Sequence, residues 1–241
     1  LASCGWPDGA ARPRSRVRPS DTGAENDISL SSPEKKIERA SIRSGFSLLM
    51  TIGAFDTATR MGYLLFLPFL IHARGGTSPT VGLALALLFI GSALGKATCS
   101  WLGEHLGVIG SVVVTEAATA ILIVSTLFLP LTPMLVILPL LGIVLNGTSS
   151  VLYGTVPELA PNGDAGRAFA LFYTGVISAG GLAPIAYGVV ADHSSRTVGV
   201  LAAATTAVLI IPMVLGLRAP LQDSNKRRLK ARSHQRRRGG K

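Results

Sequence analysis

Asp56 and Arg60 stand four residues apart inside the run FSLLMTIGAFDTATRMGYLLFLPFLI, where most other side chains are apolar. On a helix that spacing places both on one face, in reach of each other. Charges inside so apolar a stretch are costly and therefore informative. One reading is an internally compensated pair that lowers the cost of insertion; the other is a pair that handles a charged ligand or a proton. Glu116 lies in a second apolar run, VIGSVVVTEAATAILIVSTLFL, with no basic residue within a helical turn. It is protonated, faces a water-filled cavity, or anchors its helix by a hydrogen bond to a neighbour. Asn146 and Tyr153 are seven apart, two turns along one helix face, and could hydrogen-bond a solute or join helices to one another. Lys96 sits near the end of its apolar block, where a long stem can carry its ammonium to an interface.

Other motif-like stretches carry no chemistry. GSALGKAT has three residues between its glycines where a phosphate-binding loop has four, and Ala97 follows the lysine. The same stretch is no nucleophile elbow, because Ser92 falls one position early. Asn146-Gly147-Thr148 is a formal glycosylation sequon inside an apolar block. The two cysteines, Cys4 and Cys99, form neither a disulfide framework nor a metal site. No metal or other cofactor is expected.

The elements that position these residues are set by composition. The chain of 241 residues is 48% hydrophobic and 15% charged, well below the charge of about 25% usual in soluble domains. Its apolar residues cluster in blocks of the length, roughly 20 residues, needed to cross a bilayer as a helix. Backbone groups in lipid must be satisfied within the segment, and dyad alternation is absent, so helix is expected throughout. Six spans are predicted, at about 46–71, 80–103, 108–129, 134–156, 165–190 and 197–217. Gly91 and Gly95, four apart in the second, let another backbone approach closely. Residues 1–44, rich in Pro, Ser and Arg, read as a disordered tail or linker; 219–241 read as a basic tail near anionic headgroups.

The net charge of +10 does not point to nucleic acid. Of 23 Lys and Arg residues, eight precede residue 45 and ten lie at or after Arg218. Basic residues at the ends of a membrane domain mark its cytoplasmic side. Six spans then put both termini in the cytoplasm of a cell (inner) membrane protein. Arg74 and Arg196 fall in outward turns, a small cost that the tails outweigh.

Trp101-Leu102-Gly103-Glu104-His105-Leu106-Gly107 resembles the signature loop of the major facilitator superfamily, whose general form is G-x-L-x-D-R-x-G-R-R. Leu102 and Gly107 match, Glu104 stands for the Asp and His105 for the basic residue, while Val108 and Ile109 replace the final basic pair. Such a degraded copy is common between helices eight and nine. The stretch from Asn146 to Gly188 is similar to helix ten, a cytoplasmic loop and helix eleven of facilitator-type exporters. Gly175, Gly180, Gly181, Pro184 and Gly188 resemble the antiporter glycine-proline signature, which belongs to the repeat-related helix five.

The resemblance implies an all-α polytopic protein, residues 45–218 forming six transmembrane helices as the C-terminal half of a twelve-helix bundle. It implies a secondary active transporter, not an enzyme, that moves a small-molecule substrate through the lipid bilayer by alternating access, with proton coupling. The partners implied are a missing N-terminal half or a second copy. The first span would be helix seven, whose cavity face lines the path; there Asp56 takes and releases a proton, and Arg60 holds its charge or binds an anionic group. Glu116, Asn146 and Tyr153 are the other candidate cavity residues. Gly95, Lys96, Leu102, Glu104, His105, Gly107 and Arg167 make up the signature loop and cytoplasmic gate, with Glu104 and Arg167 expected to pair across it. The alternative is a half-length membrane scaffold or transporter remnant that transports nothing. A six-span serine protease needs an intramembrane Ser and His, whereas His72, His105, His193 and His234 fall in turns or tails.

Overall fold

A computed structural model describes residues 33–160, 164–219 and 221; side chains are described from Arg43 onward, except at Ser100. Among these residues every regular element is helical: α1 (Pro33–Ala73), α2 (Ser78–Phe128), α3 (Leu131–Thr155), a 3-10 turn (Val156–Glu158), α4 (Ala165–His193) and α5 (Arg196–Gly216). α1 begins at Pro33 and not near residue 46, so residues 33–44 of the expected tail are its first turns. Proline is at home at a helix start, and the following EKKIERA is rich in helix formers. The polarity of that stretch bears on where it can be buried, not on whether it can coil. Residues 1–32, with Cys4, and nearly all of the basic tail at 219–241 lie outside the described residues.

The expected second and third spans form one element, α2, broken at Gly107 (φ 71°, ψ 169°). A left-handed φ is a conformation glycine adopts without Cβ strain. Residue contacts show that the chain reverses there. In the first limb (78–106), Gly91 packs on Pro139, Gly95 on Ile143, and Cys99 on Gly147, a constant offset that makes this limb parallel to α3. In the second limb (108–128), Ser111 lies by Gly103 and Thr115 reaches Thr148, so it runs antiparallel to α3. α1 and α4 are parallel, with Gly53 against Phe172, Gly180 against Thr57 and Gly62 against Tyr187. α5 returns along α1, its Gly216, Thr206 and Gly199 meeting Leu48, Thr59 and Phe66.

Five of the six helical passes so formed are long and apolar enough to cross a membrane: Ser78–Cys99, Trp101–Phe128, Leu131–Glu158, Ala165–His193 and Arg196–Gly216. Six spans were expected; α1 has the length, but Asp56, Arg60 and their polar neighbours lower its apolarity. The turns are capped locally. Ser195 accepts from the Val198 amide and Asp164 from the Arg167 amide. Arg74 gives its guanidinium to the carbonyls of Leu70, Thr126, Leu127 and Leu129, closing the C-terminal ends of α1 and α2 together.

The core falls into two apolar layers. One holds Leu49, Ile52, Val112, Leu152, Val156, Phe172, Val176, Ile210 and Val214. The other holds Tyr63, Leu67, Leu88, Ile123, Leu138, Leu141, Ala183 and Val200. On every pass the residues between the two layers include small or polar ones, and the candidate site lies in that middle band.

Candidate functional site in the middle band of the bundle

Asp56 and Arg60 face inward from α1, with side chains 5% and 19% exposed. Arg60 Nη2 donates to Asp56 Oδ2 at 3.0 Å and to Ser149 Oγ of α3 at 2.6 Å. The Ser149 hydroxyl in turn donates to the same Asp56 oxygen at 2.8 Å. The three groups close a ring in which the hydroxyl accepts from the cation and donates to the anion. The ring gives each buried charge a partner and a shared hydroxyl, which makes the pair tolerable at this depth, while Arg60 Nε is left without a partner.

Glu116, buried at 2% exposure, reaches in from the second limb of α2 and lies beside Asp56 and Thr148. Thr148 is linked to Thr115 at 2.8 Å, and Thr115 also donates back to the carbonyls of Ser111 and Val112. The expected candidates Asp56, Arg60 and Glu116 are thus brought together from two passes. Two carboxyls share the band with one guanidinium, and with both ionised it would hold one uncompensated negative charge, an expensive state at this depth.

Asn146 does not reach this cluster: its side-chain amide donates to Ser92 Oγ of α2 at 2.5 Å, tying α3 to the first limb. Tyr153 sits one turn beyond Ser149 among Phe169, Phe172 and Tyr173 of α4, with ring centroids 5.9, 5.2 and 6.4 Å away. Asn146 and Tyr153 share α3, yet one joins helices and the other faces an aromatic group.

The signature-loop candidates divide the same way. Gly95 is a contact of the α2–α3 seam, where a Cβ would collide with the Ile143 carbonyl, and Gly107 makes the reversal. Leu102 is half-buried, while Lys96, Glu104, His105 and Arg167 are exposed. Glu104 and Arg167 are not joined by an ion pair, so the expected pairing across the gate is not made in this structure. His105 stays local, its ring nitrogen on the Trp101 carbonyl at 2.9 Å. His72 and His193 also lie exposed at helix ends, and His234 is outside the described residues.

Several participants carried no sequence signal. Ser149 and Thr148 are two hydroxyls among many, and what singles them out is a partner 93 and 33 residues away in the chain. A second network is equally without a local mark: Thr206 of α5 meets Thr59 at 2.7 Å and the Tyr187 hydroxyl at 2.8 Å. Arg60 Nε, Tyr63 Oη and Thr119 Oγ1 are buried and have no hydrogen-bond partner.

A family model described as Major Facilitator Superfamily matches residues 49–239. Neither a comparison with curated proteins nor one with solved structures finds a match.

Proposed function

Because this chain belongs to the Major Facilitator Superfamily, we propose that it is a proton-coupled secondary transporter of a small solute, working by alternating access. The family's members are membrane transporters, and the apolar helices here are those of a multi-pass membrane protein. Such transporters hold their substrate near the bilayer midplane, between two six-helix halves. In this reading residues 45–218 are the C-terminal half, completed by an N-terminal half or a second copy of the chain. α1 is the sixth span: it contributes to both apolar layers and to the band between them, as the other five passes do.

The observation that carries the reading is the buried set of Asp56, Arg60, Ser149 and Glu116. A proton on one carboxyl balances the single guanidinium and leaves the band neutral. Moving that proton changes what Arg60 is bound to, and so couples protonation to packing between α1 and α3. Asp56 takes and releases the proton, while Arg60 holds its charge or receives an anionic group. Tyr153 and its aromatic neighbours on α4 flank the Ser149 side of this set.

The charge distribution supports both termini in the cytoplasm of a cell (inner) membrane. Arg74 and Arg196, the two basic residues placed outside, have structural uses: one caps two helix ends, and the other lies over the Phe69 ring at 5.0 Å. Membrane vesicles from cells expressing the chain from its own locus, loaded with a pH-sensitive dye and offered a panel of small organic cations and anions, test the proposal. At least one solute should move protons, and Asp56→Asn should abolish that movement at unchanged protein yield. Solute flux that is indifferent to both the pH gradient and Asp56→Asn would defeat the coupling.

A further inference from the structure

The three buried polar atoms without partners among the described residues do not scatter. At about 100° per residue, Arg60, Tyr63 and Leu67 fall within about 40° of Asp56 on the α1 helical wheel. On the second limb of α2, Thr115 points to α3, where it bonds Thr148, and Glu116 points to Asp56 of α1. Thr119 and Ile123 are, by the same count, directed between those two, each a further turn along. Arg60 Nε, Thr119 Oγ1 and Tyr63 Oη therefore line one seam between α1 and the second limb. It begins at the Asp56–Glu116 contact and climbs toward the end of the bundle where Arg74 sits. The Tyr63 hydroxyl lies beside the Thr126 side chain without the geometry of a hydrogen bond to it; the Thr126 hydroxyl donates to the Ile123 carbonyl, and its backbone carbonyl is taken by Arg74. Leu145, Leu141 and Leu138 of α3, all buried, belong to the same apolar layer as Tyr63 and Ile123.

Buried polar atoms lacking protein partners are rare in native proteins and call for an explanation such as ordered water. Three along a single seam, next to a pair of buried carboxyls, call for a joint one. We propose that this seam is a hydrated file that carries the proton between the Asp56–Glu116 pair and the Arg74 end of the bundle, separate from the side on which Tyr153 and α4 lie. Water bridging Arg60 Nε, Thr119 Oγ1 and Tyr63 Oη satisfies all three atoms and forms a continuous donor–acceptor chain. Among the described residues, the charged and titratable groups near the carboxyl pair are Arg60 from α1 and Tyr153 from α3, with Tyr173 of α4 beside Tyr153. At the far end the charge of Arg74 is offset by the carbonyls of two helix C-termini. The inference rests on the proposed proton coupling at Asp56 and Glu116, but the presence of water in the seam is measurable without it.

Hydroxyl-radical footprinting of the purified protein, by X-ray radiolysis of internal water, gives the first readout. Tyr63 should be oxidised several-fold faster than Phe66, an aromatic neighbour on α1 that is equally buried. Thr119→Val should bring Tyr63 down to the rate of Phe66, and Thr119→Ser, which keeps the hydroxyl, should restore it. Tyr63 labelled no faster than Phe66 overturns the file, whatever the protein transports. The second readout is infrared detection of hydrogen–deuterium exchange at the protonated carboxyl, assigned by its loss in Glu116→Gln or Asp56→Asn. Exchange should slow several-fold in Thr119→Val and Tyr63→Phe and recover in Thr119→Ser. An unchanged exchange rate in both variants overturns the seam as the proton's route. A labelled Tyr63 with no exchangeable carboxyl at either position overturns proton coupling itself, and with it the role given to this water.

Discussion

Removing Arg60 and removing Asp56 should not be equivalent. Arg60→Ala strands Asp56 beside Glu116 with Ser149 as its remaining strong donor, two carboxyls facing each other in a band 4% and 2% exposed. Loss of one partner of a buried pair costs about 3–5 kcal/mol, so a clear fall in thermal stability of the detergent-solubilised protein is expected. Asp56→Asn removes the repulsion as well as the pair, and its loss should be markedly smaller. Equal losses would mean the two groups act only as an ion pair and that Glu116 plays no part. Ser149→Ala removes one hydroxyl that serves both charges and should cost about 1–3 kcal/mol, read in the same melt. The Asp56–Arg60 contact was legible in the sequence because a four-residue spacing on a helix is local geometry. Ser149 was not, because its role depends on α3 crossing α1 at one level, which no local pattern encodes. Glu116 stood out as a lone buried charge, yet only the fold could name Asp56 as its neighbour.

Between helices, the closest approach is made by backbone on backbone. A Cβ at Gly91 would meet the Pro139 carbonyl, and one at Gly142 would meet the Leu88 carbonyl, so the first limb of α2 and α3 touch without side chains between them. Gly82, earlier on the same limb, has open space around its Cβ position. Gly91→Leu should therefore abolish recovery of a monodisperse protein in fluorescence-detected size exclusion, while Gly82→Leu leaves the profile unchanged. A normal profile for Gly91→Leu would show that the two helices are not so close. Gly107→Ala probes the other junction, where placing a Cβ at φ 71°, ψ 169° costs about 1–3 kcal/mol and should lower the melting temperature without preventing insertion. The glycine pair was readable as a close-packing face, since small residues four apart serve that use in lipid. Its partner was not: the second limb is nearer in sequence, but α3, at a constant offset along the chain, takes the contact. The early start of α1 has no hydrophobic mark in the sequence, because residues 33–44 carry no apolar period.

Across the whole molecule, the side chains that face outward are those that lipid accepts: Phe128, Val136, Ile121, Ile185 and Leu182 are each more than 60% exposed. Apolar patches of this extent on a water-soluble monomer would be a liability, whereas around a bundle they form the surface that meets hydrocarbon. The apolar blocks gave six expected spans, of which five are long and apolar enough to cross a membrane, and the two charges in α1 are what separates it from the rest. Its crossing is testable through the turns on either side. The alternation of direction places Thr77 and Ser194 at one end of the bundle and Glu104 at the other, all three exposed. In a Cys4→Ser, Cys99→Ala background, Thr77→Cys and Ser194→Cys should react with a membrane-impermeant maleimide in intact cells. Glu104→Cys should react only after permeabilisation. With the amino-terminal side fixed by a tag, labelling of Thr77→Cys from outside requires α1 to cross the bilayer with Asp56 and Arg60 inside it. Protection of position 77 would leave α1 outside the hydrocarbon core, and the buried charges would then need no proton to be tolerated. The position of one turn thus decides whether the charge balance of the middle band has a transport function to serve.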